Sequence, residues 1–246
     1  MLNKKIDINA DVGEGLDNET AIMPYLSSCN ISCGAHAGNE VAIAKTMALA
    51  VKNKVKIGAH PSYPDKKNFG RKPMALSHKE LLDSLLRQLT FFKRLLKIHK
   101  VHLHHIKPHG ALYNLAAIDR GVAQVVIELM KNQSKSVKLY VPYGSVIADL
   151  ALIEGVDIVY EAFADRNYNS DLTLVPRREI KAIITDPKEV LNHCLSIFEN
   201  ESVKCLDGST ATIKASTFCV HGDNENVLTI LKYLTTNLAK KGIEIL

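Results

Sequence analysis

Short apolar segments, each closing on glycine, proline or histidine, alternate along this chain with longer stretches of helical period. Ile6 and Ile8 alternate with polar residues and predict a first strand over Lys5–Ala10, running into a loop with Asp11, Gly13, Glu14 and Gly15. The same reading predicts strands at Cys29–Cys33, Val55–Ala59, Val101–Ile106, Val137–Val141, Val156–Tyr160 and Thr217–Val220. Ala182–Ile184 reads as a short strand or as part of a loop. Helices are predicted over Glu40–Val51, Ser77–Ile98, onward from Ala111, Asp119–Lys131, up to Leu152, Pro187–Phe198 and Glu225–Lys241. Ser77 and Glu80 have capping-box spacing and mark the start of the longest of these.

Strand and helix alternate from end to end, which predicts a parallel sheet with helical crossovers. About seven or eight such units predict a closed, TIM-like (β/α) barrel, one domain over residues 1–246. The carboxyl ends of all strands then meet on one face. His36, His60, Lys107, His109, Glu161, Asp165, His221 and Asp223 each lie where a predicted strand stops. Polar residues delivered independently by so many strands are hard to account for as core filling, and they predict an active site on that face. The densest stretch is VHLHHIKPHGALYN, Val101–Asn114. There Lys107 and His109 sit two apart on an extended segment and can share a side, an arrangement suited to anion binding and proton transfer.

Composition narrows the partners. The chain is 46% hydrophobic, enough for a substantial core. Its net charge of +5 is scattered, with no aromatic–basic stripe, which argues against nucleic acid. No apolar run approaches the roughly 20 residues of a membrane span, and the N-terminal stretch turns polar and acidic soon after its lysines, unlike a signal peptide. Five cysteines without a CxxC pair predict free thiols in a reducing cytosol, so a cytoplasmic protein is expected. There is no GxxxxGK[ST] phosphate loop, and the GxG at Gly13–Gly15 lacks the third glycine of a dinucleotide fingerprint. Asp11, His36 and His60 come from the first three strand ends; one carboxylate and two imidazoles could hold a divalent metal or form a metal-free hydrogen-bond cluster.

Eight motifs in order carry a resemblance: DINADVGEG (Asp7–Gly15), NISCGAHAGN (Asn30–Asn39), IGAHPSYPD (Ile57–Asp65), FGR (Phe69–Arg71), KPHGALYN (Lys107–Asn114), EAFADRNY (Glu161–Tyr168), LVPR (Leu174–Arg177) and VHGD (Val220–Asp223). Together they resemble the LamB/YcsF family, the A subunits of prokaryotic ATP-dependent 5-oxoprolinase. Departures are few: Asn39 stands for a usual Asp, Cys29 for Ala and Ser62 for Gly. The resemblance implies a seven-stranded barrel similar to the glycoside hydrolase/deacetylase superfamily. It also implies a reaction in which 5-oxoproline, ATP and two waters give L-glutamate, ADP and phosphate, with Mg2+ brought by ATP and two further subunits, B and C, as partners.

Opening a lactam needs a base, an acid and cations for phosphate and carboxylate. Asp11, Glu14 and Asp165 are the candidate bases, His60, His109 and His221 the candidate acids, and Lys107 a candidate cation beside them. Arg71, Asn114, Arg166, Arg177 and Asp223 are the candidates for substrate and phosphate binding. For Arg71 and Arg166 the alternative is a surface ion pair, and for Glu14 a turn carboxylate. Lys107 and Asp11 are expected at loop edges, where truncation would cost activity and spare the fold. Two functions compete with ring opening: a metal-dependent deacetylase or amidohydrolase, needing no ATP, and a non-catalytic subunit that binds a small anion.

Overall fold

Odd-numbered residues of the first strand, β1 (Lys4–Val12), are polar from Asp7 onward, and the even-numbered ones are Ile6, Ile8, Ala10 and Val12. Both sets are buried, so this strand has two buried faces of opposite chemistry. The computed structural model, which describes residues 4–246, shows why. β1 closes a parallel barrel with β2 (Ser28–Ser32), β3 (Lys56–His60), β4 (His105–Ile106), β5 (Lys138–Pro142), β6 (Ile158–Phe163) and β9 (Thr217–Cys219). Each strand pairs with the next in this order, and β9 pairs with both β6 and β1. The expected seven-stranded barrel is therefore present. Residues 1–3, where the N-terminal stretch opens, lie outside the described residues.

Apolar faces of the strands point outward, under helices α2 (Glu40–Lys52), α3 (His78–His99), α5 (Arg120–Lys131), α6 (Val146–Ile153), α7 (Pro187–Asn200) and α8 (Val227–Lys240). The short α1 (Glu19–Ile22) and α4 (Gly110–Ala116) follow the first and fourth strands. In α3 the buried residues Leu81, Leu85, Gln88, Leu89, Phe92, Leu95 and Leu96 recur at helical spacing, and the Ser77–Glu80 capping box is formed in both directions. Asn39 caps α2, its side chain accepting from the Ala42 N–H, so the position works without a carboxylate.

The barrel interior is polar and spanned by hydrogen bonds. Asn9 donates to Glu161 at 3.0 Å, Asn30 donates to Asn9 at 2.7 Å, and His105 meets Asn30 at 2.7 Å, all between strands that are not all neighbours. Below them Ser28 and Thr217 both donate to Asp7. Such a network lets buried polar groups stand in a core without the cost of unmet hydrogen bonds. Gly58 is required by it, because any Cβ there would overlap the His105 ring.

Some elements differ from the sequence reading. β4 covers only His105–Ile106, not Val101–Ile106, although ladder bonds extend one residue either way, from His104 N–H to Ile57 O and from Lys107 N–H to Ala59 O. β6 starts and ends later than Val156–Tyr160, which puts Glu161 inside the strand. A two-stranded hairpin, β7 (Ser202–Lys204) with β8 (Thr210–Thr212), and a last strand β10 (Ile243–Ile245) beside the start of β1 have no counterpart in the sequence reading. Three-residue strands carry too little alternation to register. Ala182–Ile184 is loop, touching Arg166 through one isolated bridge at Ile183. The five cysteines are all buried and free. Among the described residues no helix is long and apolar enough to cross a membrane.

Candidate active site

Lys107 lies just past β4, 2% exposed, at the centre of the strand ends. Its ammonium donates to Asp11 Oδ1 at 3.1 Å, Glu161 Oε1 at 2.9 Å and Cys219 Sγ at 3.1 Å. Burial opposes the charge, but Asp11 leads the groups that outweigh it and hold the ammonium well above its ordinary pKa. Burial likewise pushes the Asp11 carboxyl up, and His60 and Lys107 outweigh it to hold Asp11 well below the usual range. The three protons that were expected to meet a phosphate are thus turned inward; in this geometry Lys107 holds Asp11 and Glu161.

The histidines beside this centre have defined proton positions, because carbonyls only accept. His60 Nδ1 donates to Lys107 O at 2.7 Å, and His109 Nε2 donates to Phe69 O at 2.9 Å. Their remaining nitrogens, His60 Nε2 and His109 Nδ1, face each other at 2.9 Å, with Asp11 Oδ2 3.3 Å from His60 Nε2. Two lone pairs at that distance repel, so the spot calls for a positive charge, a shared proton or a metal ion. Asp11, His60 and His109 offer one atom each within 4.8 Å of one another, and the outward N–H bonds to carbonyls are those that orient metal-binding imidazoles. The expected set Asp11–His36–His60 is not formed. His36 is held elsewhere by a loop with left-handed glycines at Gly34 and Gly38, where Gly38 packs on the Gly13 carbonyl too closely for a Cβ. It meets Glu14 Oε1 through Nε2 and Ser62 Oγ through Nδ1, both at 2.9 Å, and stacks flat on His109 at 3.8 Å. His109 takes its place beside Asp11 and His60, while His36 groups with Glu14 and His109, and Asp11 also groups with Cys219 and His221.

Burial pushes the Glu14 carboxyl up to about 7, with the Asp11 charge adding to it, and burial pushes the His36 imidazole down to about 3. Glu14 can therefore give or take a proton near neutral pH beside a neutral His36. The shift also affects stability. Between the ordinary carboxyl value of 4.5 and about 7 the native state keeps a proton that the unfolded chain has lost. Stability should then fall as pH rises through that window, by at most about 3 kcal/mol. Glu14→Gln should remove this slope. Urea denaturation of both proteins from pH 5 to pH 8 checks it, and parallel curves would mean that Glu14 ionises like an ordinary carboxyl.

Past β6, Asp165 accepts from His221 Nδ1 at 2.7 Å, from the His221 backbone N–H at 3.1 Å and from Asn224 at 3.0 Å. Burial opposes its charge, and the His221 and Asn224 bonds outweigh that and lower its pKa. With three hydrogen bonds on its two buried oxygens, Asp165 orients His221 instead of offering a free base. Asp223 is likewise occupied: Arg71 donates to it at 2.9 Å and Arg177 at 2.9 and 3.3 Å. Two arginines on one carboxylate leave a net positive rim. Arg166 is buried and donates to Ala182 O at 3.1 Å and Val175 O at 2.6 Å, fastening the loop that carries Arg177. Asp11, Glu14, His60, Lys107, His109, His221, the arginines, Asn114 and Asp223 line one cavity of about 290 Å³. Asp165 and His36 stand directly behind it.

The model of the LamB/YcsF family matches residues 6–246. The chain belongs to the LamB/YcsF family. It is 40% identical to a Haemophilus influenzae protein named as the A subunit of 5-oxoprolinase, over 98% of this chain and 99% of that one. A Pyrococcus furiosus protein of the same name is 37% identical, over 98% and 97% of the two chains. The crystal structure of a lactam utilization protein from Thermus thermophilus superposes with a TM-score of 0.91 at 35% identity, covering 98% of each chain. A T48 deacetylase, at 14% identity and a TM-score of 0.51, covering 99% of this chain and 88% of that one, shares the fold.

Most LamB/YcsF motif residues that sequence reasoning singled out converge on this one mouth. What it passed over is the supporting layer. Asn9 and Asn30 sit mid-strand and Cys219 ends β9, where nothing in a linear pattern distinguishes an inward side chain bonded to the site from a buried filler. Asn224, just past the VHGD motif, had a visible signal in its position beside His221 and Asp223. Ser62, one of the departures from the family pattern, supplies the partner for His36 Nδ1.

Proposed function

We propose that this chain opens the lactam ring of 5-oxo-L-proline to give L-glutamate, driven by ATP, as one part of an enzyme with two further subunits. The observation that carries the reading is the presence of Glu14, raised to about 7, and the Asp165-oriented His221 in the lining of one cation-rimmed cavity. The names of the relatives, the A subunit of 5-oxoprolinase and lactam utilization protein, point to the same chemistry. Arg71 and Arg177 suit the substrate carboxylate, because a guanidinium can bind it with two parallel bonds. The lactam oxygen attacks the γ-phosphorus of ATP, with its magnesium, and ADP leaves. Water then adds to the ring carbon, its proton passing to His221 Nε2. The C–N bond breaks as the ring nitrogen takes the Glu14 proton, and a second water releases phosphate from the resulting acyl phosphate.

A second reading is favoured by the Asp11–His60–His109 group. These residues fit a divalent cation, which when bound would polarise an amide carbonyl and support hydrolysis without ATP. Co-expression with the partner subunits separates the two. Glutamate and ADP should appear in equal amounts, only with ATP, and with little turnover by this chain alone. Glutamate release that ignores ATP, disappears with a chelator and tracks metal in elemental analysis would replace the first reading with the second.

A further inference from the structure

Phe163 ends β6, two residues before Asp165, and pairs across the sheet with Cys219, two residues before His221. The two strands stay joined just past that pair, where the Ala164 N–H donates to Cys219 O at 2.8 Å. This register brings two side chains of one strand end onto a single imidazole. Asp165 accepts from His221 Nδ1 at 2.7 Å, and the Phe163 ring lies flat against the His221 ring, 11° from parallel with centroids 5.2 Å apart. That is offset stacking. The two contacts constrain different things. A single hydrogen bond fixes one atom of the imidazole and lets the ring turn about the N–H···O axis. A face packed flat on the ring fixes its plane.

Phe163 is itself held. Its backbone N–H donates to the buried Tyr168 hydroxyl at 2.7 Å, and the Tyr113 ring meets its ring edge-on at 5.7 Å and 86°. The Lys107 ammonium lies 5.0 Å from its centroid. The ring is 6% exposed and lines the same cavity as His221. We propose that Phe163 is a positioning residue for His221: its face sets the plane of the imidazole that Asp165 anchors, so that Nε2 is aimed into the cavity to take the proton of the attacking water. The proton step rests on the function proposed above; the grip on His221 does not.

The test begins with Phe163→Leu, which keeps an apolar side chain and removes the ring face. In the assembled enzyme it should lower kcat about 10- to 100-fold, on the scale of a misplaced reacting group, with KM within about threefold of wild type. Phe163→Tyr keeps the face and should stay within about threefold in kcat. In an Asp165→Asn background, where His221 no longer takes the proton, Phe163→Leu should cost less than about threefold more, because both changes strike one group. A ring that serves only packing, or acts through Lys107, would multiply the two losses. In the isolated full chain the His221 ring-proton resonances should move downfield in Phe163→Leu as the ring current disappears, with the tautomer still Nδ1–H. The proposal is overturned if kcat of Phe163→Leu stays within about threefold, if Phe163→Tyr falls as far as Phe163→Leu, if the losses multiply, or if the His221 resonances stay in place. Phe163→Met replaces Phe163→Leu in every measurement should the latter not fold. A wild-type assembly without ATP-driven ring opening would retire the proposed function, and the resonance shift alone would then decide whether Phe163 holds His221.

Discussion

Lys107→Ala is expected to destabilise the fold by about 3–5 kcal/mol, the range for removing one partner of a buried ion pair. The reason is what the lysine leaves behind. Asp11 and Glu161 are both buried, and their oxygens converge on one ammonium at 3.1 and 2.9 Å. Without it, two carboxylates share a low-dielectric barrel interior with only asparagine donors and His60 to balance them. Sequence reading put Lys107 at a loop edge where truncation spares the fold, and the structure overturns that expectation. Urea denaturation at pH 7 measures the loss, and for a chain of this size the melting temperature should drop by roughly 6–20 °C. Arg71→Ala is the comparison: its ion pair with Asp223 is 43% and 31% exposed, and its loss should move stability by less than about 1 kcal/mol. A Lys107→Ala protein as stable as Arg71→Ala would mean that the interior charges are hydrated.

How much of this was legible beforehand follows from where the information lies. The barrel was legible because each strand end carries its own punctuation, glycine, proline or histidine, and the parallel topology then brings those ends together without further assumptions. Convergence of Asp11, His60, Lys107, His109 and His221 came with it. Pairing was not legible. That His36 serves Glu14 while His109 joins Asp11 and His60 depends on left-handed backbone at Gly34 and Gly38 and on the ring stack at 3.8 Å, neither of which has a linear signature. Donor direction was hidden too. Lys107, Arg166 and Asp223 were read as groups facing a ligand, and each spends its hydrogen bonds on the protein. The polar interior escaped for a third reason: Asn9 and Asn30 alternate with apolar neighbours just as solvent-facing residues of a half-buried strand would.

Asp165→Asn should cost activity on the scale of about 10,000-fold, the loss seen when an orienting aspartate is exchanged for asparagine in a histidine-based acid–base pair. Asp165 Oδ2 accepts from the His221 backbone N–H at 3.1 Å and from Asn224 at 3.0 Å, and both partners are donors. An asparagine must therefore keep its carbonyl oxygen there and turn its NH2 towards His221 Nδ1. That nitrogen, now 2.7 Å from a carboxylate oxygen, would have to accept instead of donate. A neutral His221 would then carry its proton on Nε2, the atom that faces the cavity, and could take none from water. Binding should change little, because Asp165 stands behind the cavity and Arg71 and Arg177 remain at its rim. Steady-state kinetics of the assembled enzyme should show the loss in kcat with KM within a few-fold of wild type. The 15N shifts of His221 should move from the Nδ1–H to the Nε2–H tautomer. An unchanged tautomer with full activity would remove His221 from the chemistry and leave Glu14 and Asp11 as its acid and base.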